Sequence, residues 1–332
     1  MRSFSLTQTA VGLFAAGALL GGCGANVEPA PSMFPEALSA NATRPDRHRS
    51  WMNPAASHSD LLYISDLGTD DVYAFSYPKG KLVGTLTGFQ EPIGLCIDKG
   101  GKIWIADAKA GEIFEYAHGG TTPIATLNDS GQEPFGCAID PTTGNLAVSN
   151  VGTASGGNGS ISVFPNASGT PTNYTDSAMS KMAFVGYDDS GNLFVDGAES
   201  SSFVFAELRR GGSALTNIYL PQSFQAAGGV AWDGKYVVVG DVLLGDVYRF
   251  SIDATGGATE EGSTDLADGA WVEEFCFPLA GRHRAGQQAK RIIGPAVAEQ
   301  HVGFWDYPSG DSRKLITQVD EPIGSAFSRG KT

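Results

Sequence analysis

The amino-acid sequence predicts an all-β fold: a six-bladed β-propeller of four-stranded antiparallel blades, closed where the C-terminal strand joins the N-terminal blade. Three observations lead to this prediction. Many short stretches follow the period-2 polarity pattern of β-strands. A segment of about 45 residues recurs along the chain, and four-stranded repeats of roughly this length are typical of propeller blades. The chain also contains 44 glycines in 332 residues, which suits a fold rich in tight turns.

The clearest repeat runs from Glu91 to Leu127. Residues 93–97 have the period of a strand, and residues 103–105 form a second, wholly apolar strand. The alternation resumes over residues 112–116, and a fourth strand, Pro123–Leu127, completes an antiparallel meander. One such sheet cannot bury both of its faces, so the copies are expected to stack against one another.

Two acidic landmarks mark the copies. The turn after the first strand begins with an aspartate, and these aspartates differ in number by 42, 48 and 45: Asp98, Asp140, Asp188 and Asp233. The second strand ends on an aspartate or asparagine in five copies: Asp66, Asp107, Asn150, Asp196 and Asp241. In the irregular sixth copy, a first strand near Val272–Phe277 precedes a charged insertion, Arg282–Lys290, and a second strand near Arg291–Val297.

The two ends of the repeat array complement each other. The first copy begins with a second-type strand, Leu61–Ser65, and lacks a first-type strand before it. The C-terminal segment Glu321–Phe327 supplies one, and it begins with the same four residues, Glu-Pro-Ile-Gly, as the segment Glu91–Gly94. We therefore expect residues 322–327 to be the innermost strand of the first blade, which removes the open edge of the array.

The N-terminus resembles a bacterial lipoprotein signal. Arg2 precedes an apolar run, residues 11–20, which is too short to span a bilayer as a mature helix, and the run ends in Leu20-Gly21-Gly22-Cys23. The resemblance implies lipidation of Cys23; the alternative is an ordinary secretory signal with an incidental cysteine. The predicted organisation is a signal peptide over 1–22, a flexible lipidated tether over 23–57 and the propeller over 58–332. The protein is thus expected on a bacterial membrane, at its periplasmic or outer-membrane face.

Three cysteines remain after Cys23, and all lie in first-type strands: Cys96, Cys137 and Cys276. Aligning the repeats places Cys96 and Cys137 on opposite faces of equivalent strands in adjacent blades. Because neighbouring blades pack face to face, this parity allows a disulfide between the blades. The same parity also arises if both cysteines face away from each other. Cys276 is expected to be a free buried thiol.

The repeats resemble those of the NHL-repeat and SMP-30/gluconolactonase-like propellers. The shared pattern is D-x-x-G-[KN]-[IL]-[WFAV]-[IV]-[AS]-[DN], followed by G-x-[IV]-x-x-[FY] and P-x-G. The segments Asp98–Asp107, Asp140–Asn150 and Asp188–Asp196 carry its first part, and the resemblance covers roughly residues 60–328. It implies the propeller architecture, but such propellers include both enzymes and binding scaffolds.

Two candidate sites follow. Equivalent positions of successive blades form a ring, so the series Asp66, Asp107, Asn150, Asp196 and Asp241 is a candidate divalent cation site, for calcium as in the lactonase-like relatives. The alternative is that each acid caps its own loop by accepting backbone N–H groups. Glu299 and His301 resemble the metal and acid/base pair of virginiamycin B lyase-like propellers; the alternative is a histidine in a surface loop.

The composition of the chain limits the classes of partner that it is expected to bind. The net charge of −14 and the absence of a basic face exclude nucleic acid. Aromatic residues in or beside strands are expected in the blade-to-blade core: Trp104, Phe184, Trp232 and Trp305. The sequence therefore favours a monomeric, non-catalytic binding or scaffold module for a protein, a glycan or a small ligand. The alternative is a metal-dependent hydrolase or lyase that acts at the acidic ring.

Overall fold

The computed structural model describes residues 49–267, 269, 271–278 and 288–330. It confirms the predicted all-β class and the six antiparallel blades. The predicted signal peptide, Cys23 and most of the predicted tether lie outside the described residues, as does most of the charged insertion. No helix among the described residues is long and apolar enough to cross a membrane.

The blades follow one another along the chain. Blade 1 contains β1 (Trp51–Met52), β2 (Leu61–Asp66), β3 (Asp71–Ser76) and β4 (Lys81–Leu86). Blade 2 contains β5 (Pro92–Ile97), β6 (Ile103–Asp107), β7 (Glu112–Tyr116) and β8 (Pro123–Asn128). Blade 3 contains β9 (Gln132–Ile139), β10 (Leu146–Thr153), β11 (Ser160–Phe164) and β12 (Thr172–Tyr174).

The second half of the ring has the same plan. Blade 4 contains β13 (Lys181–Tyr187), β14 (Leu193–Glu199), β15 (Ser202–Leu208) and β16 (Thr216–Asn217). Blade 5 contains β17 (Ala227–Trp232), β18 (Val237–Asp241), β19 (Asp246–Ile252) and β20 (Ala258–Asp265). Blade 6 contains β21 (Arg291–Ala296), β22 (His301–Asp306) and β23 (Ser312–Ile316), and β24 (Pro322–Ser328) ends the array. Two short 3-10 helices, Pro54–His58 and Pro165–Ala167, lie between strands.

The hydrophobic core is a series of layers between the blades rather than one central mass. Leu61 and Ile105 share a layer between blades 1 and 2, and Ala147 and Val195 share one between blades 3 and 4. This arrangement follows from the sequence, because the second strand of each blade is apolar on both faces and must be covered on both sides.

The predicted closure of the ring is confirmed. β24 pairs antiparallel with β2, with Phe327 opposite Leu62 and Ala326 opposite Tyr63. The pairing places the C-terminal segment innermost in blade 1, in the order β1-β4-β3-β2-β24. Six of the seven residues of β24 are buried, so the strand belongs to the core of the ring.

The packed domain begins earlier than the boundary predicted at residue 58. Trp51 and Met52 form a strand on the outer edge of blade 1, opposite Thr85 and Gly84 of β4. The sequence showed no strand periodicity here because two residues are too few to display it.

Blade 6 is the irregular one, as expected. Its inner position is occupied by residues 272–277, which join β21 through two isolated bridges, Val272 to Ala296 and Cys276 to Ile293. The backbone N–H of Cys276 donates to the Ile293 carbonyl at 2.8 Å, and the return bond is 3.0 Å. The inner segment of blade 6 is therefore held at two points rather than along a continuous ladder.

The recurring Pro-x-Gly segment has a steric cause. Neighbouring inner strands approach so closely near the axis that a Cβ at Gly94 would lie 2.2 Å from the Phe135 carbonyl oxygen. A Cβ at Gly324 would lie equally close, 2.2 Å, from the Ile93 carbonyl oxygen. Real Cβ atoms do not approach an oxygen this closely, so only glycine fits at these positions.

A disulfide joins the inner strands of blades 2 and 3. Cys96 of β5 and Cys137 of β9 are bonded, with their Cα atoms 5.6 Å apart. This is the inter-blade pairing that the parity of the two strands allowed. Cys276 is the free cysteine among the described residues, and it is partly buried.

Deletion of residues 321–332 is expected to abolish cooperative folding. It removes β24, exposes the edge of β2 and uncovers the inner strands on either side, and a domain of marginal stability cannot absorb such a loss. Circular dichroism melting of the truncated chain tests this expectation.

The matched control removes residues 331–332 alone, beyond the end of β24, and should melt like the full chain. A chain lacking 321–332 that keeps the melting temperature of the full chain would contradict the role given to β24.

Candidate functional site

A cavity of about 650 Å³ lies on the ring axis at one mouth of the propeller. All six inner strands contribute their last residues to it, over 95–97, 137–139, 185–187, 230–232, 274–277 and 325–327. We call it the axial cavity. Its size lies within the range of small-molecule sites, roughly 300–1,000 Å³.

The opposite mouth is largely filled. Ile93, Phe135, Phe184 and Ile323 pack together around the axis there, with the rings of Phe135 and Phe184 5.2 Å apart and edge-on. The hollow that remains measures about 310 Å³. Of the two mouths of the ring, the one that holds the axial cavity is therefore the more open.

The walls of the axial cavity are mainly aromatic and aliphatic. Trp232 ends β17, Phe277 ends the inner segment of blade 6, and Phe327 lies near the end of β24. The Phe277 ring packs against Phe275, with ring centroids 5.8 Å apart. Such packing limits the motion of the wall, so the cavity is largely pre-formed.

One carboxyl group, that of Glu274, reaches across the inner part of the axial cavity. Its Oε2 accepts the backbone N–H of Leu95 at 2.8 Å, which links blade 6 to blade 2 past the inner strand of blade 1. A Cβ at Gly324 would lie 2.9 Å from this oxygen, so the missing side chain leaves room for the carboxyl group. The hydroxyl of Ser325 donates to the Glu274 carbonyl oxygen at 3.0 Å and fixes the backbone beside it.

The preceding residue, Glu273, is also buried, with 1% of its surface exposed. Its Oε2 has no hydrogen-bond partner among the described residues. Burial raises the pKa of Glu273 and the pKa of Glu274 to about 8 in each case, because the charged forms lose their hydration. Both side chains are therefore largely neutral acids at pH 7.

The free thiol of the axial cavity, that of Cys276, is also kept in its neutral form by burial. The pKa of the Cys276 thiol is raised to about 12, mainly by burial and to a smaller extent by the nearby Glu274 carboxyl group. A thiol with such a pKa is protonated at neutral pH, so it is a poor nucleophile.

The second-strand acids are occupied by the loops around them. Asp107 accepts the backbone N–H groups of Gln90 at 2.8 Å and Glu91 at 3.0 Å. Asp66 and Asp241 accept N–H groups at the corresponding places, from Asp320 and Gln225, at 2.7 Å each. Each of these carboxylates ties the loop entering its own blade to the turn that follows the second strand, which is the capping alternative.

The remaining two members of the series, Asn150 and Asp196, are also buried. Asp196 is fully buried, and its two oxygens accept N–H groups from Phe184 and, in the next blade, Gly228. Burial raises the pKa of Asp196 well above its usual value. The side-chain amide of Asn150 donates to the Asp129 carboxylate at 3.2 Å.

These five residues do not share a site. Within the described ranges, no three His, Cys, Asp or Glu side chains lie close enough together to hold a metal ion. The physical reason is orientation: the carboxylates point at their own loop amides instead of converging on the axis. The expected ring of cation ligands is therefore not assembled by these residues.

Glu299 and His301 do not face the axial cavity either. Glu299 lies in the exposed turn before β22, and His301 is the first residue of that strand. The alternative of a surface-loop histidine is wrong, since His301 is only 4% exposed. It lies on the side of β22 that carries Trp305, against blade 5, and its Nε2 has no partner among the described residues.

The expectation for the aromatic residues holds for three of the four. Trp104, Phe184 and Trp305 are buried between blades. Trp232 instead lies partly exposed in the wall of the axial cavity.

The sequence analysis did not identify Glu273 and Glu274 as a candidate site. A signal was present, because they are two consecutive acids in a segment predicted to be an inner strand.

Comparison with known proteins supports the architecture. No protein-family model matches the chain, and no curated protein matches it. Among solved structures, a chain of a nidogen/laminin complex is similar, with a TM-score of 0.62 and 10% identity over 82% of this chain and 100% of that one. A protein of unknown function from Bacteroides caccae has a TM-score of 0.61 and 12% identity, over 82% of this chain and 99% of that one. A catalytically inactive virginiamycin B lyase from Staphylococcus aureus with quinupristin has a TM-score of 0.51 and 13% identity, over 85% of this chain and 95% of that one. The likeness is one of fold.

Replacing Glu273 or Glu274 by glutamine is expected to flatten the pH dependence of stability. An acid whose pKa is raised by folding contributes stability that is complete below its unfolded value, near 4.5, and lost as the pH rises through about 8. Each unit of pKa difference corresponds to about 1.4 kcal/mol of unfolding free energy. Denaturant unfolding at pH 5, 6.5 and 8 should show the native chain losing more stability across this interval than either variant.

Glu299→Gln is the matched control, since it makes the same chemical change in an exposed turn. Its pH profile should follow that of the native chain. If both buried-site variants also follow the native profile, the two carboxyl groups are not held in the neutral form.

Proposed function

We propose that this protein is a non-catalytic binding module of the bacterial cell envelope, which takes up a small organic molecule in its axial cavity. The observation that carries the proposal is the cavity itself: about 650 Å³, aromatic-walled and built from the inner strands of all six blades. Pockets of this size and character bury most of the surface of a small ligand and leave a few polar groups to orient it.

The placement at the envelope is supported by the N-terminal sequence. The apolar run and the segment Leu20-Gly21-Gly22-Cys23 resemble a lipoprotein signal, which would anchor the mature chain through Cys23. Residues 23–48 would then separate the anchor from the ordered domain. The proposed protein is thus a lipid-anchored receptor domain that faces the periplasm or the cell exterior.

Solved structures that share this fold include one in complex with a protein and one with a small molecule. One similar structure is part of a nidogen/laminin complex, and another was determined with quinupristin. For this chain we favour the small ligand over a protein or glycan, because the axial site is concave and aromatic residues from several blades line it. We do not develop the metal-dependent alternative, since the carboxylates of Asp66, Asp107 and Asp241 accept hydrogen bonds from backbone N–H groups.

Substitution of Trp232 is expected to weaken binding of a neutral aromatic probe. Prodan, an uncharged dye whose emission shifts to the blue in apolar surroundings, can be titrated with the purified protein. Trp232→Ala removes a large aromatic surface from the cavity wall. We expect its affinity for prodan to fall by about tenfold, equivalent to about 1.4 kcal/mol.

Trp271→Ala is the matched control, because Trp271 is 43% exposed in a loop that does not line the axial cavity. It should bind prodan as the native chain does. No saturable binding by the native protein, or a loss caused by Trp271→Ala and not by Trp232→Ala, would contradict the proposal. The second result would move the site to an exposed loop surface suited to a protein partner.

A further inference from the structure

We infer that the axial cavity selects organic cations: molecules with an apolar body and an ammonium group that pairs with the carboxylate of Glu274. The inference rests on the proposed function and adds the chemical class of the ligand. Three features of the described cavity lead to it: the sign of its charges, the position of one carboxyl group and the character of its walls.

The described lining of the axial cavity carries charges of one sign only. Its ionisable side chains include Asp188, Asp189 and Glu274, and no lysine, arginine or histidine lies among them. Lys99 and Arg329 line an adjoining hollow along with the rim residues Phe277 and Phe327. A concave apolar space bordered by acids attracts cations and rejects anions, since the low dielectric strengthens both effects.

Glu274 is placed to receive such a charge. It is 8% exposed, and its carboxyl group accepts backbone hydrogen bonds from Leu95, at 2.8 Å to Oε2, and from Ser325. A buried carboxyl group with remaining acceptor capacity is costly unless a partner completes its hydrogen bonds. An ammonium group supplies up to three donors and an opposite charge in one step.

The walls suit the rest of such a molecule. Trp232, Tyr187, Phe277 and Phe327 border the cavity. Aromatic faces attract an ammonium group through their quadrupole and also bury the apolar body that carries it. The cavity therefore offers a favourable surface to both parts of an amphiphilic amine.

Binding of an ammonium group is coupled to release of a proton. Glu274 holds a proton at neutral pH because burial raises its pKa to about 8. The described ionisable neighbours on its own segment are Glu273 and Cys276, both neutral at pH 7. Of the strands packed against its segment, β5 and β24 contain no ionisable group apart from the bonded Cys96, and β21 contributes only Arg291, which is exposed at its start. On arrival of the ammonium group, the carboxyl proton passes to solvent and the ion pair forms.

Three dansyl probes of matched size test the inference. Dansylcadaverine carries a primary ammonium group, its N-acetyl derivative is neutral, and dansyl-6-aminohexanoate carries a carboxylate. Fluorescence titration of the purified protein at pH 8 should give the highest affinity for the cation, by at least about tenfold over the neutral probe. Between pH 6 and 8 the affinity for the cation should rise by up to about tenfold per pH unit, whereas that for the neutral probe should stay constant.

Glu274→Gln is the decisive variant, since the amide keeps an acceptor for the Leu95 N–H. It should bind the cation and the neutral probe equally and lose the pH dependence. Glu91→Gln, an acid at the opposite mouth, is the control and should retain both properties. If Glu274→Gln does not fold, the pH profile of the native chain decides between the outcomes.

The outcomes separate this inference from the proposed function. Equal binding of the three probes, together with weaker binding of all three by Trp232→Ala, would overturn cation selectivity and leave the binding module intact. Preference for the anionic probe would overturn it as well. Absence of any saturable binding would overturn both.

Discussion

The pairing of β24 with β2 is the interaction on which the rest of the molecule depends. It joins the two ends of the chain in one sheet and so brings six inner strands around a single axis. The close approach of these strands explains Gly94 and Gly324, where no Cβ fits. It also creates the axial cavity, since a site lined by all six blades exists only when the ring is closed.

The cavity carries a cost in stability. Glu273 and Glu274 lose most of their hydration, and neither is neutralised by a cation among the described residues. Such groups lower the stability of the folded state as the pH rises, and well-packed apolar residues in their place would often be more stable. Sites that bind or react commonly keep this kind of unfavourable arrangement, because a polar group that is not yet satisfied is available to a ligand.

The part of the structure that follows local rules was predictable from the sequence. Strand alternation and turn aspartates depend on neighbouring residues, so the blades and their order could be derived one repeat at a time. Closure was also predictable, because residues 321–324 copy residues 91–94. The parity of Cys96 and Cys137 on equivalent strands allowed the disulfide that the structure shows, but it left open whether the two side chains face each other.

The candidate site was harder to predict because it depends on side-chain direction and on bulk contributed by distant blades. The repeat spacing placed Asp107 and its equivalents at one end of the sheets, but spacing does not show whether a carboxylate points to the axis or to its own loop. Nor does it show which mouth is open, since this is decided by the packing of Phe135 and Phe184 from two blades. The burial of His301 was missed because the residue was considered part of a surface loop, whereas it is the first residue of β22.

The most direct measurement is a crystal structure of the purified protein soaked with dansylcadaverine at pH 8. The account predicts the ammonium group within hydrogen-bonding distance of the Glu274 carboxylate and the aromatic rings against Trp232. Density for the probe at the opposite mouth, beside Glu91 and Lys109, or only on the outer surface of the blades, would contradict the claim that the axial cavity is the binding site.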